Sequence, residues 1–330
     1  MKKITIFMLC LALFLPSSAK VLGKELSREE QYTYDEYQRD IWKMKSRYKR
    51  QLEVHTIGYS EYGRKLYGIK VGKGEKSILI SGAHHGREWI TALLMMKMIE
   101  NQVQQEDLYN RMGEYSIWFV PMLNPDGVTI QQGDLQKFPL FSRISLKRMN
   151  EGSKDFTRWK SNGRGIDLNR QYPAGWDELK GESPKPSYKN YKGKKPLEAK
   201  EVQAIVSLTE KIKPTIAVAY HSSGQEIYWE YNNKENTERD RAIAAKLAET
   251  TGYDLGTPDV DAIGSGYTDW FISTYHLPAF TIEICPSVEE TNPPMDTFGE
   301  EWKRNVHVTS VLLEEAKQLE NVHKKNLDYR

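Results

Sequence analysis

The sequence predicts a single α/β domain with a mixed, mostly parallel central sheet flanked by helices. From position 55 onward, short apolar or β-branched runs alternate with segments of helical periodicity, which is the order of elements typical of α/β folds. The strand candidates are almost continuously apolar, as expected of strands that are covered on both faces. No internal repeat or linker-like stretch divides the chain after its first residues, so one domain is expected.

The first 19 residues have the layout of a secretory signal peptide. Two lysines precede an apolar run from Ile4 to Leu15, and small residues follow up to Ala19. A membrane anchor is the alternative, but this run is shorter than the roughly 20 residues that a membrane-spanning helix needs. Export with removal of residues 1–19 is therefore expected, without a membrane anchor.

The composition argues against several classes of partner and site. The 330 residues include 47 basic and 45 acidic ones, and loss of Lys2 and Lys3 with residues 1–19 leaves a formally neutral chain. Neutrality gives no reason to expect a nucleic acid or a membrane surface as partner. Cys285 is then the one remaining cysteine, so an internal disulfide is excluded, and a buried strand position is favoured over a nucleophilic role.

The elements follow in a regular order. Residues 20–54 are predicted to form an N-terminal helical segment, and residues 55–325 the main domain. Strands are predicted at 77–81, 116–123, 215–220 and 279–284, and helices at 90–102, 197–211, 236–251 and 300–320. The segment 127–196 is rich in loop residues. Its lysines could meet an anionic polymer, although a solvated surface loop is the favoured interpretation.

Three strand candidates run into, or carry, groups suited to metal or proton chemistry. His85 and Glu88 follow the first of these strands, His221 follows the third, and Glu283 lies within the last. Because open α/β sheets bind ligands in the crevice at the carboxyl ends of their strands, these groups are expected to converge at one edge.

Two imidazoles and one carboxylate are the ligand set of several catalytic zinc sites. Two residues separate His85 from Glu88, so both side chains can face one cation from a tight turn, with His221 as the third ligand. An isolated His-x-x-Glu pattern is weak, however, because a histidine at a strand end is more often a hydrogen-bonded structural residue.

A wider pattern resembles the zinc carboxypeptidase family over nearly the whole mature chain. Five motifs carry the resemblance in order: GAHHGREW at 82–89, NPDG at 124–127, GIDLNRQYP at 165–173, AYHSS at 219–223 and PAFTIEI at 278–284. The resemblance implies the family's fold and one zinc ion per chain, held by His85, Glu88 and His221. It also implies hydrolysis of a peptide bond, with Glu283 as the base that takes a proton from the attacking water.

The same resemblance assigns residues around the metal. Asp167 is similar to the carboxylate that accepts the remaining ring N–H of a metal-bound histidine, here His85. Asn169 and Arg170 are similar to the pair that grips a substrate carboxylate, a task suited to a planar guanidinium.

The resemblance also implies a cation that stabilises the oxyanion. Arg158, Lys160 and Arg164 are all candidates, and Arg158 is the predicted one. Asp261 stands where digestive members carry a tyrosine that caps the substrate. Thr268 is expected to line the substrate site, at a position where members that prefer basic ends carry an acidic residue.

The closest resemblance is to bacterial γ-D-glutamyl-diaminopimelate peptidases, through RWKSNGRGIDLNRQYPAGW at 158–176 and the lysine-rich loop after it. It implies a muropeptide substrate and a secreted or cell-wall-associated enzyme, and a monomer is expected. One alternative is a metallocarboxypeptidase that removes C-terminal L-amino acids. The other is a catalytically silent wall-binding protein, against which the complete set of metal and base residues counts.

Overall fold

The computed structural model describes residues 31–257 and 263–328, which form a sheet covered by helices on both faces. The strands are β1 (Leu52–Tyr59), β2 (Lys65–Val71), β3 (Lys76–Gly82), β4 (Tyr115–Val120), β5 (Ile216–Ser222), β6 (Glu226–Tyr228), β7 (Asp254–Leu255) and β8 (Ala279–Ile284). The helices are α1 (Tyr34–Arg47), α2 (Ile90–Gln104), α3 (Glu106–Arg111), α4 (Pro125–Gln131), α5 (Leu140–Met149), α6 (Lys200–Ile212), α7 (Thr237–Thr251), α8 (Tyr267–Tyr275), α9 (Phe298–Asn305) and α10 (Val308–Asp328).

The eight strands lie in the order β1-β2-β4-β3-β5-β8-β6-β7. The four central strands β4, β3, β5 and β8 are parallel to one another. Antiparallel pairs flank them, β1–β2 and β2–β4 on one side and β6–β8 on the other. The predicted α/β fold with a mixed sheet is therefore confirmed.

Alternate residues of the central strands enter two different cores. In β3, Ile78 and Ile80 belong to the core that also includes residues of α2 and α10. Leu79 faces the opposite side and packs with residues of α6 and α8. Because neighbouring side chains of a strand point to opposite faces, burial of both faces explains the continuous apolar runs in the sequence.

The predicted elements are present with shifted ends. The strand expected at 116–123 ends at Val120, before Pro121, which lacks the N–H that a strand ladder uses. The helix expected at 300–320 is two helices, α9 and α10, separated at 306–307. At the end of α9 the buried Asn305 side chain bonds the hydroxyls of Tyr220 and Tyr253.

The predicted boundary at residue 55 needs correction, because β1 begins at Leu52 and pairs along its length with β2. The helix predicted within 20–54 is present as α1, and its Tyr37, Ile41 and Met44 are buried in the main core. The expected signal peptide at 1–19 lies outside the described residues. Among the residues that are described, no helix is both long and apolar enough to cross a membrane.

Candidate active site and metal centre

A tight turn after β3 carries the first two predicted ligands. His85 precedes a single 3₁₀ turn, Gly86–Glu88, which leads directly into α2. The backbone N–H of Gly86 donates to the carbonyl of Lys160 at 2.9 Å. A Cβ at Gly86 would lie 2.4 Å from the carbonyl oxygen of Gly127, so only glycine fits this approach of two chain segments.

Three buried ligand atoms converge at this edge of the sheet. His85 Nδ1 lies 2.7 Å from Glu88 Oε1, and His221 Nδ1 lies 3.0 Å from Glu88 Oε2. The two histidine Nδ1 atoms are 3.2 Å apart. Ligand nitrogens bound at about 2.0–2.1 Å to one tetrahedral zinc ion would be about 3.3 Å apart. The three side chains thus fit a single zinc ion, as predicted.

Asp167 contacts the Nε2 atom of the His85 ring, whereas the Nδ1 atom of that ring faces the other ligands. Its Oδ1 lies 3.1 Å from His85 Nε2, and its Oδ2 accepts from Lys160 Nζ at 3.0 Å. Burial disfavours the charge of this carboxylate, but Lys160 and His85 outweigh burial and hold the pKa of Asp167 well below its ordinary value. A charged Asp167 favours a proton on Nε2 of His85, which leaves Nδ1 free to bind a metal. The predicted contact between Asp167 and His85 is therefore present.

The third ligand and the predicted base are neighbours in the sheet. In the parallel pair of β5 and β8, His221 is in register with Glu283. Side chains of aligned residues in adjacent strands lie on the same face, so both reach the metal edge together. Burial, with repulsion from Glu88, raises the pKa of the Glu283 carboxyl well above its ordinary value.

Arg158, the predicted oxyanion cation, is engaged elsewhere. Its Nη2 lies 2.7 Å from Glu151 Oε2, and its guanidinium stacks over the ring of Tyr188 at 3.9 Å. None of its contacts with described residues involves a predicted metal ligand or Glu283. Lys160 instead pairs with Asp167, and its charge opposes the rise in the pKa of Glu283. The structure therefore brings Lys160, and not the predicted Arg158, to the other predicted site residues.

The third candidate is Arg164. Its side chain is more than half exposed, and its Nη1 lies 3.9 Å from Glu61 Oε2. Lys160, by contrast, is largely buried. The sequence offered no way to separate these cations, because the choice depends on how the loop at 158–164 folds back over Gly86. The backbone carbonyl of Lys160 accepts the hydrogen bond from Gly86 N–H, which fixes the position of Lys160 next to the ligand turn.

A pocket of about 200 Å³ opens beside Glu283. Asn169 and Thr268, both predicted at the substrate site, line it, and the Thr268 hydroxyl lies 2.8 Å from that of Thr281. The other lining residues are Tyr228, Trp229, Glu230, Ile263, Gly266, Asp269 and Ile272. Arg170 lies close by, with its Nε 3.7 Å from Asp167 Oδ2. Asp261, at the position where digestive members carry a capping tyrosine, lies outside the described residues.

Two contributors to the site were not anticipated from the sequence. Asn124 of the NPDG motif joins three segments, since its Nδ2 donates to the carbonyls of His84 and Ser161 while its Oδ1 accepts from Gly127 N. The buried His84 ring stacks on His221, with ring centroids 5.3 Å apart and planes at 28°. Burial and the neighbouring His221 lower the pKa of His84 well below its ordinary value, so a neutral ring supports the third ligand.

Comparisons with known proteins agree with this geometry. Residues 37–308 match the sequence profile of the zinc carboxypeptidase family. The chain is 30% identical over 288 residues to γ-D-glutamyl-L-diamino acid endopeptidase 1 of Lysinibacillus sphaericus, covering 82% of this chain and 69% of that protein. It is 27% identical over 254 residues to a zinc carboxypeptidase of Simulium vittatum, covering 71% and 79% of the two chains.

Solved structures show the same fold. Bovine thrombin-activatable fibrinolysis inhibitor, in complex with tick carboxypeptidase inhibitor, superposes with a TM-score of 0.73 at 20% identity, covering 88% of this chain and 99% of that one. Carboxypeptidase A of Helicoverpa armigera gives a TM-score of 0.67 at 17% identity, with 91% and 76% of the chains covered. The chain therefore belongs to the zinc carboxypeptidase family and is a zinc metallopeptidase.

Proposed function

We propose that this peptidase is exported and hydrolyses the γ-D-glutamyl-diaminopimelate bond of cell-wall stem peptides. The observation that carries the proposal is the likeness to the Lysinibacillus endopeptidase, which extends over most of both chains. The pocket beside Glu283 offers polar side chains to the leaving amino acid, namely the hydroxyls of Thr268 and Thr281 and the acidic residues Glu230 and Asp269. Export after loss of residues 1–19 is part of the same proposal.

Each residue of the site has a place in amide hydrolysis. When bound by His85, Glu88 and His221, zinc supplies Lewis-acid chemistry to a carbonyl oxygen and a water molecule. Glu283 takes the proton of the attacking water and passes it to the leaving amine. A carboxylate suits both steps, since it accepts the proton as a base and returns it as an acid.

The neighbouring polar groups bind substrate. We assign the carboxylate of the leaving amino acid to Asn169 and Arg170, beside the pocket that takes its side chain. We assign stabilisation of the oxyanion to Lys160, which is largely buried and whose Nζ lies 3.0 Å from Asp167 Oδ2. A buried cation stabilises developing negative charge more strongly than an exposed one, because water screens it less.

Replacing Lys160 by glutamine is expected to lower kcat by about 10²–10³-fold, the usual effect of removing one oxyanion donor. Replacing Arg158 by glutamine serves as the matched control and should change kcat only slightly, because Arg158 pairs with Glu151. Steady-state kinetics of both variants would be compared with their zinc content. If the Lys160 variant loses zinc in proportion to activity, Lys160 acts through Asp167 and His85 alone.

The substrate proposal is tested with two peptides. We expect L-Ala-γ-D-Glu-diaminopimelate to be cut at the γ-D-glutamyl bond with a kcat/KM at least about ten-fold above that for a blocked L-dipeptide. Mass spectrometry of the products identifies the bond, and the Glu283→Gln variant controls for contaminating peptidases. Faster release of a C-terminal L-amino acid from the dipeptide would instead show an ordinary metallocarboxypeptidase and overturn the proposal.

A further inference from the structure

We propose that Glu201 is a positioning residue for the oxyanion cation, because it holds, through Asn162, the turn that follows Lys160 in the chain. This role rests on the proposed function, in which Lys160 stabilises the oxyanion, and it adds a residue that acts on Lys160 without touching the substrate. Glu201 lies in the first turn of α6. Its side chain and that of Asn162 are completely buried.

Both oxygens of the Glu201 carboxyl accept hydrogen bonds from other parts of the chain. Asn162 Nδ2 donates to Oε2 at 3.1 Å, and the backbone N–H of Glu61 donates to Oε1 at 3.1 Å. Glu61 follows β1, so this one carboxyl joins α6 to the turn between β1 and β2 and to the loop after α5. A buried donor that loses its acceptor costs more free energy than the bond itself contributes, so both contacts resist disruption.

Asn162 in turn shapes the loop that follows Lys160. Its Oδ1 accepts from the backbone N–H groups of Arg164 and Ile166 at 2.9 Å and 3.0 Å. Its own backbone N–H donates to the carbonyl of Ile166 at 2.8 Å, which closes the turn. The amide side chain is thus held at both its oxygen and its nitrogen, and it cannot rotate without breaking one of these bonds. Glu201 therefore fixes the orientation of the turn.

Lys160 is two residues from Asn162, and it reaches the metal site at two points. Its Nζ lies 3.0 Å from Asp167 Oδ2, and its backbone carbonyl accepts from Gly86 N–H of the ligand turn at 2.9 Å. A shift of Asn162 would therefore be passed along the backbone to Lys160. Because the oxyanion forms only in the transition state, misplacing Lys160 should lower kcat and leave KM nearly unchanged.

The surroundings keep Glu201 mainly uncharged at neutral pH. Burial, with repulsion from Asp126 and Glu61, raises the pKa of the Glu201 carboxyl to about 8. Among the described residues, the cations of this cluster lie on the other two carboxylates: Arg64 on Asp126, and Arg164 and Lys200 on Glu61. Glutamine therefore matches the neutral carboxyl in charge and nearly in shape, and it keeps an oxygen that can accept from Asn162.

The test compares two substitutions of Glu201. Leucine has no acceptor, so Glu201→Leu should lower kcat by about 10-fold or more, with little change in KM and with zinc still at one ion per chain. Glu201→Gln should stay within a few-fold of the wild-type kcat, because its amide oxygen still accepts from Asn162. Asp40→Asn, at a buried carboxylate of α1 that contacts Tyr32 and Lys43, is the matched control and should keep the wild-type kcat.

A double-variant cycle shows whether Glu201 acts through Lys160. If it does, Glu201→Leu should add almost no further loss of kcat to Lys160→Gln, because both changes remove the same interaction. Asn162→Ala breaks the link from its other end and should behave in the same way, so the test does not depend on one variant folding. Losses that multiply in the double variants would overturn the positioning role, and so would a Glu201→Leu protein with the wild-type kcat.

The kcat ratios are measured on both L-Ala-γ-D-Glu-diaminopimelate and the blocked L-dipeptide, which separates this role from the function on which it rests. An oxyanion forms in the hydrolysis of either amide, so cleavage of the dipeptide alone would overturn the substrate proposal, and the ratios on the dipeptide would then decide the role of Glu201. An unchanged kcat in Lys160→Gln would overturn the oxyanion assignment and the positioning role with it.

Discussion

Replacing Glu283 by glutamine is expected to lower kcat by about 10²–10⁴-fold while zinc stays bound. The amide is nearly isosteric with the carboxylate, so the packing of β8 between β5 and β6 should be preserved. It cannot, however, take the proton of the attacking water. Because Glu283 is not one of the three converging ligands, metal content should remain at one ion per chain.

Single-turnover kinetics and elemental analysis on the same preparation check this expectation. A variant that keeps near-normal turnover would show that the proton leaves by another route, and the role of Glu283 would have to be given up. Loss of zinc in this variant would point instead to Glu283 as a support of the metal ligands.

Replacing His221 by alanine should abolish zinc binding and hydrolysis together. Only His85 and Glu88 would then remain as protein ligands, and two ligands leave zinc under-coordinated compared with the three of catalytic sites. The change also removes the ring on which His84 stacks. Activity is expected to fall below detection, a larger effect than that of Glu283→Gln.

Zinc per chain, measured by elemental analysis after dialysis, is the direct readout. Wild-type protein stripped by a chelator is the matched control, and its activity should return on addition of zinc, whereas the variant's should not. An active His221→Ala protein that contains one zinc per chain would contradict the assigned ligand set.

The sequence predicted what depends on strand patterns and strand ends. Runs such as SILIS and AFTIEI are apolar on both faces, so the sequence shows directly that they are buried strands and in which order they follow. Because these strands are parallel, His85, Glu88, His221 and Glu283 lie at one edge of the sheet. The contact of Asp167 with His85 was predicted as well, through the resemblance of its motif.

What could not be predicted depends on contacts between distant loops. Arg158 and Lys160 are two residues apart and chemically similar, yet one stacks on Tyr188 and the other contacts Asp167. That difference arises from the fold of 158–190 over the ligand turn, which no local periodicity encodes. The pairing of Arg87 with Glu290, which lie about 200 positions apart, is hidden from the sequence for the same reason.

The register between β5 and β8 should keep His221 and Glu283 aligned when the protein is heated. His221 and Glu283 are held side by side by the same ladder of backbone hydrogen bonds that supports the central core, about 4.8 Å apart across the two strands. These two groups can separate only when the sheet itself comes apart. Warming should therefore leave the spacing of His221 and Glu283 intact up to the cooperative unfolding transition, so thermal inactivation and global unfolding should coincide. Inactivation below that temperature would show that the turn carrying His85 and Glu88 loosens first.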